Sequence, residues 1–312
     1  ILPTFAYTVD ITTLGAKGDG ITDNTAFIQK AIDDCSARKG GTVEIPSGHF
    51  LTRTLFLKSN VNLHLHFGAE LLGSTDLDSY HKVFPELKGK ESPALIFARG
   101  VANIAITGSG TINGQGAHQN FQHGNDSKGG PRRPKIIYFI GCNNVRVQDV
   151  TLRNSAYWTQ DYEKCNGVIV RGVKVYSHAN WNNDGLDIDS RNVVVSDCYI
   201  DCDDDALCLK SDTDTPCENV TVTNCVLKSN CNAIKFGTSS YSGFKNVTIS
   251  NCTIDRASED HIRQWYKNYP WIGTKHKTVV AGIALESVDG GIIENVSISD
   301  IAMQGCLLYT SD

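Results

Sequence analysis

Asn192-Val-Val-Val-Ser-Asp-Cys-Tyr-Ile, Asn219-Val-Thr-Val-Thr-Asn-Cys-Val-Leu and Asn246-Val-Thr-Ile-Ser-Asn-Cys-Thr-Ile are copies of one pattern, each starting 27 residues after the last. Upstream stand Asn144-Val-Arg-Val-Gln-Asp-Val-Thr-Leu and Gly167-Val-Ile-Val-Arg-Gly-Val-Lys-Val, and downstream Asn295-Val-Ser-Ile-Ser-Asp-Ile-Ala-Met. Fainter copies begin at Asn60 and Asn103. Each copy alternates apolar and polar residues and favours Val and Ile, which is strand chemistry. A turn rich in Asn, Asp or Gly follows, then a second short strand. A repeat of this length without helical periodicity predicts a coiled solenoid of parallel strands, not a propeller or a leucine-rich repeat.

The starts of the six clear copies are 23, 25, 27, 27 and 49 residues apart, and the last gap reads as two rungs with Val279 to Glu286 as a strand between them. The Asn that opens a rung predicts a ladder of side-chain amides at the bend. Glycosylation sequons at Asn219, Asn246, Asn251 and Asn295 are then ladder and strand residues, whereas Asn125 lies in a loop open to a glycan.

The 312-residue chain carries a net charge of -5 and a pI near 6.0, against the basic face that nucleic acid requires. An acidic substrate would need local Lys and Arg to hold it. No apolar run approaches about 18 residues, so no membrane span is expected. The chain opens at Ile1 without Met, which reads as a mature or trimmed secreted or periplasmic protein. One domain is expected over residues 1–312. Thr22-Asp23-Asn24-Thr25 followed by an amphipathic run to Cys35 predicts a helix over 22–35 that caps the N-terminal end. No cap pattern follows the rung at Asn295, so either a truncated C-terminal end or last residues foreign to the fold are expected. Of eleven cysteines, Cys198, Cys225 and Cys252 share one phase of the repeat and predict an inward stack of small side chains rather than disulfides or zinc.

In such a ladder, residues one rung apart become neighbours. Asp184, in Asn182-Asn183-Asp184-Gly185-Leu186-Asp187, and the pair Asp204-Asp205 are about one rung apart, so three carboxylates converge. Like charges that close spread their pKa values, as acid/base hydrolysis of a glycosidic bond requires. Asp187 and Asp189 share a strand face. Asp184 reaches the same site if Gly185 breaks the alternation.

These residues resemble the polygalacturonase-type glycoside hydrolases of family 28 over roughly residues 8 to 300. Gly15-Ala16-Lys17-Gly18-Asp19-Gly20 through Thr25 is similar to the N-terminal signature of pectinase-like β-helices. Asn154-Ser155-Ala156-Tyr157-Trp158 resembles the family's Asn-Ser-Pro-x-Trp, Asn182 to Asp187 its Asn-Thr-Asp-Gly-x-Asp, and Asp204-Asp205 its paired aspartates. The resemblance implies an all-β, single-stranded right-handed parallel β-helix with an N-terminal capping helix. It also implies an inverting hydrolase of α-linked pectin-type polysaccharide, with Asp204 as general acid and Asp184 and Asp205 activating water. No cofactor and no metal is implied.

Two family motifs are missing. Asn232 stands where Gly-His-Gly places its His. Ala284 and Glu286 stand at the Arg and Lys of Arg-Ile-Lys, which grips a galacturonate carboxylate. Homogalacturonan is therefore expected to be a poor substrate, and rhamnogalacturonan or a substituted or terminal galacturonide a better one. Lys210 and Lys235 lie on rungs beside the aspartates and offer replacement cations. Asn182, His178, Asn232, Trp158 and Trp265 complete the expected sugar-binding set, since sugar rings pack on aromatic faces. His49, His64 and His66 are assigned no chemistry. The partner expected is a polysaccharide, with the protein a monomer. Two alternatives stand beside the hydrolase: a calcium-dependent polysaccharide lyase, and a non-catalytic carbohydrate-binding β-helix.

Overall fold

A computed structural model describes residues 7–83, 93–121, 133–259 and 279–306. Twenty-four strands join in one parallel ladder in which each strand pairs with its counterpart one coil away. The winding is a right-handed parallel β-helix. Three faces run along it. The coil around the aspartates shows the order: Leu186–Ser196 spans the first face and bends into the second, Tyr199–Cys202 forms the third, and Leu207–Ser211 begins the next coil.

The alternation dictates the core. Val193, Val195, Val220, Val222, Val247 and Ile249 point inward and are at most 1% exposed. Their outward neighbours Val194, Thr221 and Thr248 pair across the outside of the same strands. Cys198, Cys225 and Cys252 form the expected inward stack, with thiols in mutual hydrogen-bond reach and 1–3% exposed. All eleven cysteines are free thiols.

The amide ladder is present. Asn103 donates to Asn60, Asn144 to Asn103, Asn219 to Asn192, Asn246 to Asn219 and Asn295 to Asn246, at 2.7–3.0 Å. These asparagines hold φ between 53° and 64°, the left-handed region that Asn tolerates better than most residues. Gly167 takes this backbone position in its own coil, and the preceding Asn166 supplies the amide oxygen to Asn192 instead. A second ladder joins Asn251, Asn224 and Asp197 at the next bend. The sequons at Asn219, Asn246, Asn251 and Asn295 thus have their amides committed; Asn125 lies outside the described residues.

The 49-residue gap holds one coil, not the two expected. Phe244–Arg256 pairs directly with Ile293–Met303, with Val247 opposite Val296, and this leaves no room for a rung between them. Ala281–Leu285 pairs with Asn232–Ser240 and is the first face of that same coil. The surplus residues are an insertion as long as a coil.

The cap helix runs Thr25–Ala37 and buries Ile28, Ala31, Ile32 and Cys35. Its N-cap Asn24 makes no capping bond. Asn24 is buried and ties Lys17 in both directions, at 2.7 and 3.0 Å, while Asp23 accepts the free N–H of Thr25 at 3.0 Å.

Candidate active site

The site forms where the chain turns from the third face into the first. The turns at this corner shorten along the axis, from residues 178–185 to 203–206 to 230–231, between flanking strands. Backbone bonds stack them. Thr159 N–H donates to Asp184, Gly185 N–H to Asp205 and Ala206 N–H to Asn232, all at 2.8–2.9 Å. Strand register continues the same alignment, with Leu186 opposite Leu207 and Leu207 opposite Ile234. Trp158, Asp184, Asp205 and Asn232 therefore occupy one position on four successive coils, about 4.8 Å apart.

Gly185 permits this stacking by its size, not by breaking the strand alternation. A Cβ there would meet Ile200 Cγ2 at 2.3 Å and the Ala206 carbonyl at 2.7 Å, and Asp184 already lies in the turn. The three aspartates are only 3–5% exposed, yet lie outside the apolar interior, which Leu186, Ile188, Leu207, Leu209, Ile234 and Phe236 fill.

Asp205 is held by three donors. Its Oδ1 accepts from Asn232 N–H at 3.2 Å and Nδ2 at 2.7 Å, and Lys235 Nζ is 3.3 Å from its Oδ2. Asp204 turns its Oδ1 to the N–H of Asp205 at 3.0 Å and its Oδ2 toward Asn182 Nδ2 at 3.5 Å. Asn182 in turn accepts from Arg133 at 3.4 Å, and Arg133 also donates to the Ala156 and Trp181 carbonyls. Ala156 is buried where the family pattern has Pro.

The first-face strands carry a second row of charge. Tyr138, Asp161, Asp187, Cys208 and Lys235 follow one another in register on the outer side. Asp187 is fully buried with Lys210 Nζ at 3.2 Å. Burial raises its carboxyl well above the ordinary range; Lys210 opposes this, and the charges of Asp184 and Asp161 add to it. Lys210 is raised in turn, against its own burial, by the acids around it. Lys135 pairs with Asp161, and both are buried. The ammonium groups of Lys135 and Lys210 lie 4.5 and 4.4 Å from the centroid of the half-buried Trp158 ring. Tyr157 stacks on Trp158 at 5.3 Å, and burial with the nearby Asp184 charge pushes its hydroxyl up to about 12.

The expected sugar-binding residues have separate fates. Asn182, Asn232, Lys210, Lys235 and Trp158 gather around the aspartates as described. Lys235 is shared with Glu286 at 3.8 Å, and Glu286 also accepts from Thr238 at 3.1 Å. His178 is buried, with Nε2 3.0 Å from Asp201 Oδ1, and so is not at the rim. Burial works to raise the Asp201 carboxyl, but its bonds to His178 and Ser258 prevail and hold it low. Trp265 lies outside the described residues. Sequence reasoning missed Lys135 and Asp161, which join the site only through register across an insertion. Asp204, Asp205 and Cys231 bring ligand atoms within 4.8 Å of one another. Burial, with the neighbouring Asp205 charge, raises the Cys231 thiol, which makes it a poor donor to a hard cation.

The family model described as "Glycosyl hydrolases family 28" matches residues 35–293. A "Probable polygalacturonase" of Vitis vinifera is 31% identical over 225 residues, covering 67% of this chain and 45% of that protein. An "Exo-poly-alpha-D-galacturonosidase" of Dickeya chrysanthemi is 30% identical over 250 residues, covering 64% and 41%. The solved family 28 exopolygalacturonase of Yersinia enterocolitica superposes with a TM-score of 0.75 at 25% identity, over 95% of this chain and 58% of that one. The chain thus spans less than half the length of these two curated relatives. With a family match that covers most of its length and the aspartate pattern stacked on consecutive coils, the chain belongs to glycosyl hydrolases family 28.

Proposed function

We propose that the protein hydrolyses α-glycosidic bonds in pectin-type polysaccharide, with Asp204 as general acid and Asp184 and Asp205 orienting and deprotonating the attacking water. The observation that carries this reading is the stacking of Asp184 on Asp205 one coil on, with Asp204 beside Asp205 in the turn 203–206. Asp205, fixed by Asn232 and Lys235, suits a carboxylate that must stay oriented while it accepts a proton. Asp204, whose Oδ1 meets the Asp205 N–H and whose Oδ2 lies 3.5 Å from Asn182 Nδ2, stands beside this pair as the general acid toward a leaving oxygen.

Glu286, at the place of a family lysine, lies across Lys235 from Asp205 and offers a carboxylate where a uronate would bring another. This supports a substrate whose sugar at that subsite is neutral or esterified. The exo-acting names of the Dickeya and Yersinia relatives support attack at chain ends. The test is a comparison of the unaltered protein with Asp204→Asn on polygalacturonan, rhamnogalacturonan and short galacturonides, with product sizing. The expected loss of turnover is about 10²- to 10⁴-fold, with binding and fold retained. Full activity in the Asn variant, or rapid random cutting of polygalacturonan by the unaltered protein, would refute the corresponding half of the proposal.

A further inference from the structure

Two histidines that the aspartate site does not use stand on the second face, near the N-terminal end. His64 lies in the strand Val61–Leu65, and His66 follows it by two residues, so both side chains leave the same side of the chain. Glu44, in the strand Gly41–Ile45 one coil earlier, is the direct register partner of His64. His66 Nε2 is hydrogen-bonded to Glu44 Oε2, and the two imidazoles meet edge to face with centroids 5.0 Å apart. One nitrogen of each histidine and one oxygen of Glu44 all lie within 4.8 Å of one another. The backbone holds His66 in place, its N–H on Ile45 and its carbonyl on Ala69, both at 3.0 Å.

A second layer fixes the proton on His64. Thr107, one coil further on, donates its only hydroxyl proton to Asn62 Oδ1 at 3.0 Å. Its oxygen therefore faces His64 Nδ1, at 2.8 Å, as an acceptor. The Nδ1–H tautomer of His64 satisfies this pair and leaves Nε2 as the acceptor. A ring whose far nitrogen is tied to an outer-shell oxygen is what metal-ligating histidines show.

We propose that Glu44, His64 and His66 form a zinc-class divalent metal site that links two successive coils near the N-terminal end. Two imidazoles and one carboxylate suit Zn²⁺, with water in the fourth position. Tetrahedral bonds of about 2.1 Å place ligand atoms about 3.4 Å apart, a short contraction for two partly buried side chains and the exposed His66. Asp10, next in the same column, does not compete, because Thr12 takes its Oδ1 at 2.7 and 2.8 Å.

The test is calorimetric titration of ZnCl₂ into the full chain, freed of metal by chelator, together with thermal melting and the visible spectrum after Co²⁺ loading. We expect one saturable site, a raised Tm and the intense bands of four-coordinate Co²⁺. His66→Ala should weaken binding at least tenfold. Thr107→Val, which keeps the shape and removes the hydroxyl, should weaken it about 10- to 100-fold. His49→Ala, which breaks a His–Glu pair with no second histidine, should change nothing. Zinc binding that survives in a folded His64→Ala/His66→Ala variant would overturn the proposal. So would binding lost instead in Cys231→Ser, or weak six-coordinate Co²⁺ bands in the unaltered protein.

Discussion

At the scale of single residues, the site is a balance of buried acids and ammonium groups. Lys210→Met removes the only ammonium within ion-pair distance of Asp187 among the described residues. It should destabilise the fold by about 3 kcal/mol or more at pH 7, because a buried carboxylate loses its partner. The loss should shrink as pH falls, because protonation of the raised Asp187 carboxyl removes the unpaired charge, and in the double variant with Asp187→Asn; urea unfolding followed against pH measures both. Asp189 makes a second case. Burial raises its carboxyl to about 7, although the Asp212 N–H at 2.9 Å works against this. The folded chain therefore holds this proton more tightly than the unfolded chain between about pH 4 and 7. Its contribution is full below the ordinary carboxylate range and is lost as pH climbs through 7, leaving a penalty on the order of a few kcal/mol at pH 8. Asp189→Asn cannot ionise, so the Tm of the variant minus that of the unaltered protein should become more positive from pH 4 to pH 8. A difference flat with pH would remove this carboxyl from the account. The pairing of Asp184 with Asp205 was legible because one short coil separates them. Lys135 and Asp161 were not, because membership of a column depends on register carried across the residues after Gly114.

At the scale of elements, the bend asparagines do two jobs that substitution can separate. Asn219 sits at φ 56° and both donates to Asn192 and accepts from Asn246. Asn219→Ala should cost about 3–4 kcal/mol, from left-handed strain of about 1–2 kcal/mol and two hydrogen bonds of about 1 kcal/mol each. Asn219→Gly relieves the strain and should cost about 1–2 kcal/mol less. Equal losses in chemical denaturation would mean that the ladder bonds alone matter. The same physics explains which elements could be read in advance. Strand alternation, the Asn bends and the inward cysteines are local and periodic, so they showed in the sequence. The extra rung expected before Asn295 did not exist, because an insertion the length of a coil carries the same spacing as a coil. The helix end was also displaced: Asn24 is a good cap by residue type, but Lys17 takes its side chain instead.

At the scale of the whole molecule, stability runs along one axis. Each coil buries its inward residues only against the coil on either side, so protection should follow the number of covered neighbours. The Thr25–Ala37 helix covers the N-terminal coils, where Val43, Ile45, Val61 and Leu63 are fully buried. In the middle, Val247 and Ile249 are equally sealed. Their register partners in the last described coil, Val296 and Ile298, keep partial exposure, and Met303 is 45% exposed. Their backbone bonds are of the same kind as those one coil earlier; what differs, among the described residues, is the apolar cover on one side. Amide hydrogen exchange on this chain should therefore show a step, with Ile293–Met303 exchanging well ahead of Phe244–Arg256 and the aspartate corner more protected still. The corner is shielded because coils on both sides must open before the turn at 203–206 can. If all coils exchanged at one common rate, the molecule would open as a single cooperative body, and the coil-by-coil account of how the aspartates are held together would fail.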